Sequence, residues 1–118
     1  APDWICEVLS AATARLDRGK KLEAYAREGV PVVWLVDPES KTLEIFTLEA
    51  RTSLGPRYVL AAVHGGDDVV HAEPFASFAL RLAGLWEGER ARDHSSAVRK
   101  RFASFGAGGP LKNSRLVR

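Results

Sequence analysis

Hydrophobic residues follow a strand pattern at the very start of the chain. The run from Trp4 to Leu9 is apolar and rich in β-forming side chains apart from one carboxylate, Glu7, which predicts a buried strand. Strand alternation places Asp3, Ile5, Glu7 and Leu9 on one face and Trp4, Cys6 and Val8 on the other. A carboxylate between aliphatic neighbours is costly to desolvate, so Glu7 needs a cation, a metal or water beside it.

A helical pattern follows this strand. Leu22, Tyr25 and Ala26 form an apolar stripe at i, i+3 and i+4 spacing, which predicts a helix that ends at about Glu28. Gly29, with a proline two residues later, is a typical helix end. The start of the helix stays open, because the sequence offers several capping residues there. These candidates are Ser10, Thr13 and Asp17.

The rest of the apolar pattern predicts short strands. Val32–Val36 is continuously apolar, as a strand buried on both faces should be, so the first 36 residues form a βαβ unit. Further strands are predicted at residues 42–48, 57–63 and 69–71, followed by alternating apolar residues at 78–82 and a helical turn at 85–86. The predicted fold class is therefore α/β, a βαβ unit followed by antiparallel strands.

Composition limits the class of protein. The chain has 118 residues, of which 46% are hydrophobic and 27% charged, as expected for one small domain. Its longest apolar run, Val30–Val36, is too short to cross a membrane, and no signal peptide is evident. The single cysteine, Cys6, cannot form an internal disulfide and is predicted to be a small core residue. We expect a cytoplasmic protein without a membrane partner.

Charge divides the chain into two parts. Residues 1–86 contain 9 basic and 12 acidic side chains, whereas residues 87–118 contain 8 and 3. The apolar pattern fades beyond Glu87, and the segment is rich in glycine. We therefore predict a domain at 1–87 and a basic, flexible tail at 88–118, dispensable for folding. Nucleic-acid binding through this tail remains an alternative function.

The beginning of the chain predicts a partial domain. The sequence contains no methionine and enters a buried strand at its fourth residue. A central strand normally has sheet neighbours on both sides, so we expect a fragment with marginal stability and an exposed edge at Trp4–Val8.

Few catalytic motifs are present. The chain has no phosphate-binding loop, nucleophile elbow, HExxH motif or CxxC pair, and its three histidines lack ligand spacing. Glu7 and Lys21 remain as candidates, and two interpretations of them stay open. They form either a buried structural ion pair or a metal-binding carboxylate with a lysine that orients or helps deprotonate a water.

Several motifs together resemble one known family. These are the segments APDWICEVLS, TARLDRGKKLEAYAREGV, VWLVDP and TLEIFTLE, in that order. They are similar to the Uma-two-type family of restriction endonucleases, which belongs to the PD-(D/E)XK, restriction-endonuclease-like superfamily. The resemblance covers residues 1–87 and implies a truncated restriction-endonuclease-like core.

The resemblance assigns roles to individual residues. Glu7 takes the place of the (D/E) carboxylate and would bind the metal. The superfamily lysine normally stands two residues later, where this chain has Leu9; the family instead places it on the following helix, at the position of Lys21, next to Lys20. Asp17 and Tyr25 are supporting candidates.

The motif also requires a first acidic residue close to Glu7, and the sequence offers none at a usable distance. Asp3 shares a face with Glu7, but four residues of extended strand separate them by roughly 13 Å. The resemblance thus implies Mg²⁺-dependent hydrolysis of DNA by Glu7 and Lys21, with little activity in the chain as it stands. The alternative is a non-catalytic remnant or interaction domain, and either form could be a homo-oligomer.

Overall fold

The computed structural model describes residues 2–9 and 18–86, together with the backbone of residues 114–117. Within these ranges the chain forms short strands, one long helix and one short helix. In chain order they are β1 (Trp4–Val8), α1 (Arg18–Glu28), β2 (Val32–Asp37), β3 (Thr42–Glu49), β4 (Arg57–Gly65), β5 (Val69–Val70), β6 (Leu80–Arg81), α2 (Ala83–Trp86) and β7 (Ser114–Val117).

The main sheet is mixed and has the strand order β4-β3-β2-β1-β7. β1 and β2 are parallel neighbours joined through α1, whereas β2, β3 and β4 pair in antiparallel fashion. A second sheet contains β5 and β6. The predicted α/β class, a βαβ unit followed by antiparallel strands, is confirmed.

The edge of β1 differs from the prediction. β7 pairs in parallel with β1, with Val117 opposite Glu7, and all five residues of β1 are buried. Ser114–Val117 lies in the segment 88–118 predicted to be flexible, so at these four residues a strand replaces the expected tail. The flexibility predicted for residues 88–113 falls outside the described residues and stays a prediction, as does the boundary at residue 87.

Each face of the main sheet packs on its own apolar cluster. One cluster contains Trp4, Cys6 and Val8 of β1 with residues of the 70–86 segment, including Phe75 and Leu85. The other contains Ile5, Val33 and Leu35 with Tyr25 of α1. The alternation predicted for β1 is thus confirmed, and it places Glu7 on the face that α1 covers.

The C-terminus of α1 is closed by a Schellman motif. The N–H of Gly29 donates to the carbonyl of Ala26 at 3.0 Å and the N–H of Val30 to that of Tyr25 at 3.1 Å. Gly29 has a φ of 79°, which only glycine adopts readily. Val30 and Tyr25 belong to the same apolar cluster. This motif fixes the last turn of α1 and with it the direction of the Tyr25 side chain.

No helix within the described ranges has the length and apolar character needed to cross a membrane.

Candidate functional site

The site lies between α1 and the sheet, on a row of three residues that face each other across three strands. Strand register places Glu7 of β1 opposite Leu35 of β2, and Leu35 opposite Glu44 of β3. Two carboxylates therefore flank one leucine on the same face of the sheet. Because neighbouring strands are about 4.8 Å apart, the backbones of Glu7 and Glu44, two strands apart, are separated by roughly 10 Å.

Glu7 is held by two donors from α1. Lys21 Nζ forms an ion pair with Oε1, and the Tyr25 hydroxyl donates to Oε2 at 3.0 Å. The side chain of Glu7 is only 3% exposed, whereas that of Lys21 is 36% exposed. Since Lys21 and Tyr25 are four residues apart, they share one face of the helix. The structure therefore brings together three residues that the sequence singled out.

Glu44 has a matching partner one turn earlier on the helix. Arg18 forms an ion pair with Glu44 Oε1, and its guanidinium carbon lies 5.9 Å from the centre of the Phe46 ring. Arg18 and Lys21 are at i, i+3 spacing, so a single helix face supplies one cation to each carboxylate. Sequence reasoning missed Arg18 and Glu44. The i, i+3 spacing was visible, but the register that places Glu44 in line with Glu7 was not.

A small cavity of about 10 Å³ lies above Leu35. It is lined by Glu7, Leu9, Arg18, Lys21, Leu22, Tyr25 and Leu35. A space of this size is close to the minimum that holds one water molecule. The cavity therefore leaves room for one small polar species beside Glu7 and the two cations.

The remaining candidates lie apart from this cavity. Lys20 is exposed on α1, so Lys21 is the lysine that reaches Glu7. Asp3 is exposed at the start of β1. Asp17 lies outside the described residues, and its supporting role stays a prediction.

The oxygen of Glu7 suits a divalent cation, but the described residues do not complete a metal site. Carboxylates are the ligands that Mg²⁺ prefers. Within the described ranges, however, no group of three or more histidine, cysteine, aspartate or glutamate side chains could hold a metal ion. Among the residues that line the cavity, Glu7 is the one carboxylate.

Cys6 and Asp37 have structural roles. Burial, together with the neighbouring Glu7 carboxylate, raises the pKa of the Cys6 thiol well above its ordinary value. The carboxylate of Asp37 accepts the backbone N–H groups of Glu39 and Ser40 at 3.0 and 3.1 Å. These contacts form the turn between β2 and β3.

Two of the three histidines fall within the described residues. His64 is part of β4 rather than of a loop, and exposed His71 lies 3.1 Å from the Ala76 carbonyl through Nδ1. Neither belongs to a group of ligands. His94 lies outside the described residues.

The mixed sheet, the crossover helix and the buried carboxylate paired with a helix lysine define a protein of the restriction-endonuclease-like class. A family model named Uma2, described as "Putative restriction endonuclease", matches residues 1–83. The chain belongs to this family.

A solved structure supports the same class. The chain is similar to the crystal structure of "a putative nuclease belonging to DUF820" from Anabaena variabilis ATCC 29413, with 26% sequence identity and a TM-score of 0.50. The match covers 73% of this chain and 44% of that chain, so the chain spans less than half the length of this neighbour. No curated protein shows significant similarity to the chain.

Proposed function

We propose that the chain is part of a metal-dependent DNA endonuclease in which Glu7 and Lys21 act at the scissile phosphodiester. The observation that carries the proposal is the buried Glu7, which Lys21 and Tyr25 hold from the same helix face beside a cavity of one-water size. Membership of the Uma2 family supports nuclease chemistry. A bound Mg²⁺ would supply charge neutralisation and water activation at Glu7.

Tyr25 and Lys21 have different roles because Tyr25 is buried and Lys21 is partly exposed. Tyr25 keeps one oxygen of Glu7 in place, while Lys21 pairs with the other oxygen. Because Lys21 is partly exposed, its ammonium group can turn from Glu7 towards a phosphate oxygen or an attacking water. There it orients the water or stabilises the charge that develops on the phosphate.

A non-catalytic domain is the alternative, and one observation favours it. Both carboxylate oxygens of Glu7 already accept a hydrogen bond from α1. A buried ion pair with a purely structural role has the same arrangement. The same fold would then serve as an interaction module. The single cysteine, which cannot form an internal disulfide, fits a cytoplasmic location under either function.

A plasmid-cleavage assay tests the proposal. Protein expressed from its complete reading frame should cut supercoiled plasmid in Mg²⁺ but not in EDTA. The substitution Glu7→Gln should abolish this cutting. Glu49→Gln, which removes an exposed carboxylate at the end of β3, is the matched control and should cut normally. Metal-independent cutting, or normal cutting by Glu7→Gln, would contradict the proposal.

We also propose that the protein self-associates through β4. This nine-residue strand ends the main sheet, and Val59, Leu60 and Val63 are exposed on it. No charged side chain interrupts the strand between Arg57 and His64, so the usual protection of a sheet edge is weak there. Light scattering should detect a dimer that Val63→Lys disrupts and that Val69→Lys, on β5, leaves intact. A wild-type monomer would refute this proposal.

A further inference from the structure

A groove of about 550 Å³ lies beside the Glu7 cavity, between α1 and the start of β4. Its volume is within the range of about 300–1,000 Å³ that is typical of small-ligand sites. It is lined by Gly19, Leu22, Glu23, Ala26, Arg27, Phe46, Leu54, Pro56, Arg57 and Tyr58. None of these residues belongs to the proposed catalytic pair.

The groove and the Glu7 cavity share a wall. Leu22 lines both of them, and Arg18 of the cavity packs over Phe46 of the groove. A polymer bound at Glu7 would therefore continue directly into the groove. This continuity makes the groove the place for the unit next to the reacting bond.

Leu54 and Tyr58 form the apolar floor of the groove. Leu54 is 76% exposed, so its side chain is accessible to a ligand in the groove. The Tyr58 hydroxyl donates to the Val30 carbonyl at 2.7 Å, which holds the ring in place. Burial, with the nearby Glu28 carboxylate, raises the pKa of Tyr58 to about 12, so the ring remains neutral. A flat, neutral group such as a nucleobase fits this floor.

The rim of the groove carries both signs of charge. Arg27 and Arg57 supply two guanidinium groups, and Glu23 one carboxylate, with Glu28 close to Tyr58. Within the described residues, the two ion pairs are Arg18–Glu44 and Lys21–Glu7. Arg27 and Arg57 belong to neither pair, so among the described residues no carboxylate competes as an ion-pair partner with a phosphate bound to them, while the carboxylates disfavour a second phosphate.

We infer that this groove binds one unpaired nucleotide next to the scissile phosphodiester, with the base on Leu54 and Tyr58 and the phosphate on Arg27 and Arg57. The choice of ligand rests on the proposed nuclease function. A duplex stacks its bases inside and presents mainly its backbone, so it would leave the apolar floor uncovered. An unstacked base covers it. The substrate class is thus DNA with a single-stranded or flipped-out nucleotide at the cleavage point.

Binding without cleavage tests the inference. In full-length Glu7→Gln protein with EDTA, fluorescence anisotropy should show tighter binding of a labelled six-nucleotide thymidylate strand than of a labelled blunt-ended duplex, which has no unpaired base. Adding Leu54→Ser or Arg57→Glu should weaken binding of the single strand about fivefold or more, because the first removes apolar contact with the base and the second reverses the charge that faces the phosphate.

Two matched controls separate the groove from general charge and hydrophobicity. Val69→Ser and Arg81→Glu make the same chemical changes at exposed positions of the β5–β6 sheet. They should change affinity by less than about twofold, since charges remote from the site are largely screened. Any basic residue outside the groove contributes equally to all variants.

The outcomes distinguish this inference from the proposed function. Equal losses in the controls, or duplex binding as tight as single-strand binding, would overturn the inference even if the wild-type protein cuts DNA. Selective loss in the Leu54 and Arg57 variants would support the inference even if wild type proves inactive, in which case only the nuclease proposal fails.

Discussion

At the scale of single residues, Glu7 and Lys21 differ in what each loses when its partner is removed. Glu7 is almost completely buried, whereas about a third of the Lys21 side chain reaches solvent. A lysine that loses Glu7 can turn to water, but a glutamate that loses Lys21 stays in an apolar layer, where Tyr25 is the remaining side-chain donor among the described residues. The two substitutions should therefore have unequal costs.

Lys21→Met should destabilise the fold more than Glu7→Gln. The methionine strands the Glu7 charge, so we expect a loss near the lower end of the roughly 3–5 kcal/mol seen when one partner of a buried pair is removed. Glutamine keeps the volume of Glu7 and leaves a partly exposed lysine, so a loss below about 1 kcal/mol is expected. Urea unfolding of both variants measures the difference, and equal losses would contradict this asymmetry.

Alkaline pH should destabilise the protein through Cys6 and Tyr58. Both groups have a raised pKa in the folded state, so their contribution is complete below the pKa of the unfolded chain and is lost as pH rises. For Cys6 the loss begins near its ordinary value of 9.0, and for Tyr58 it falls between 10.0 and about 12.

Thermal melts of wild type and Tyr58→Phe from pH 8 to 12 check this pH dependence. The wild type should lose stability from about pH 9 upwards, and the phenylalanine variant should lose less between pH 10 and 12, because it removes the tyrosine titration. Parallel curves for the two proteins above pH 10 would show that Tyr58 does not contribute.

At the scale of elements, α1 determines the site because it carries all four donors. These are Arg18, Lys21 and Tyr25 on the face towards the sheet, and Arg27 at the groove. The sequence predicted the end of this helix from Gly29, and the family resemblance singled out Lys21 and Tyr25. It could not predict the Arg18–Glu44 pair, since that pair depends on the register between β2 and β3.

Gly29→Ala should weaken the end of α1. An alanine at a φ of 79° is strained, so we expect a loss of about 1–2 kcal/mol, the usual cost of the left-handed conformation for a residue with a Cβ. No heavy atom lies within 4 Å of an added Cβ there, so the effect comes from the backbone alone. Gly19→Ala, inside the first turn, is the control and should be neutral or slightly stabilising. Urea melts in which Gly29→Ala matches wild type would refute the role of this cap.

The pairing of β7 with β1 should protect the amides of β1. Deleting residues 114–118 should speed hydrogen exchange at the β1 amides that point to β7 and favour association through the uncovered edge. Unchanged exchange would instead agree with the flexible tail that the sequence predicts. This strand could not be predicted from sequence, because a four-residue stretch after a glycine-rich segment carries no periodic signal.

At the scale of the whole molecule, sequence pattern predicted the architecture better than the site. Continuous apolar residues in β2 and alternation in β1 were enough for the parallel pair and the crossover helix, since one-residue slips would bury the wrong faces. The groove beside Glu7 could not be predicted from the sequence, because Leu54, Arg57 and Arg27 come together only when β4 returns along β3.

The central claim is that Glu7 and Lys21 serve cleavage rather than stability. The most direct measurement is the single-turnover rate of Mg²⁺-dependent DNA cleavage by the full-length Glu7→Gln/Lys21→Met variant. Replacing both charges together leaves no buried charge without its partner, so the free energy of unfolding of the variant should be close to that of wild type. We predict a folded protein whose cleavage rate falls below detection. A folded double variant that cuts DNA at the wild-type rate would contradict the claim and leave the pair with a structural role alone.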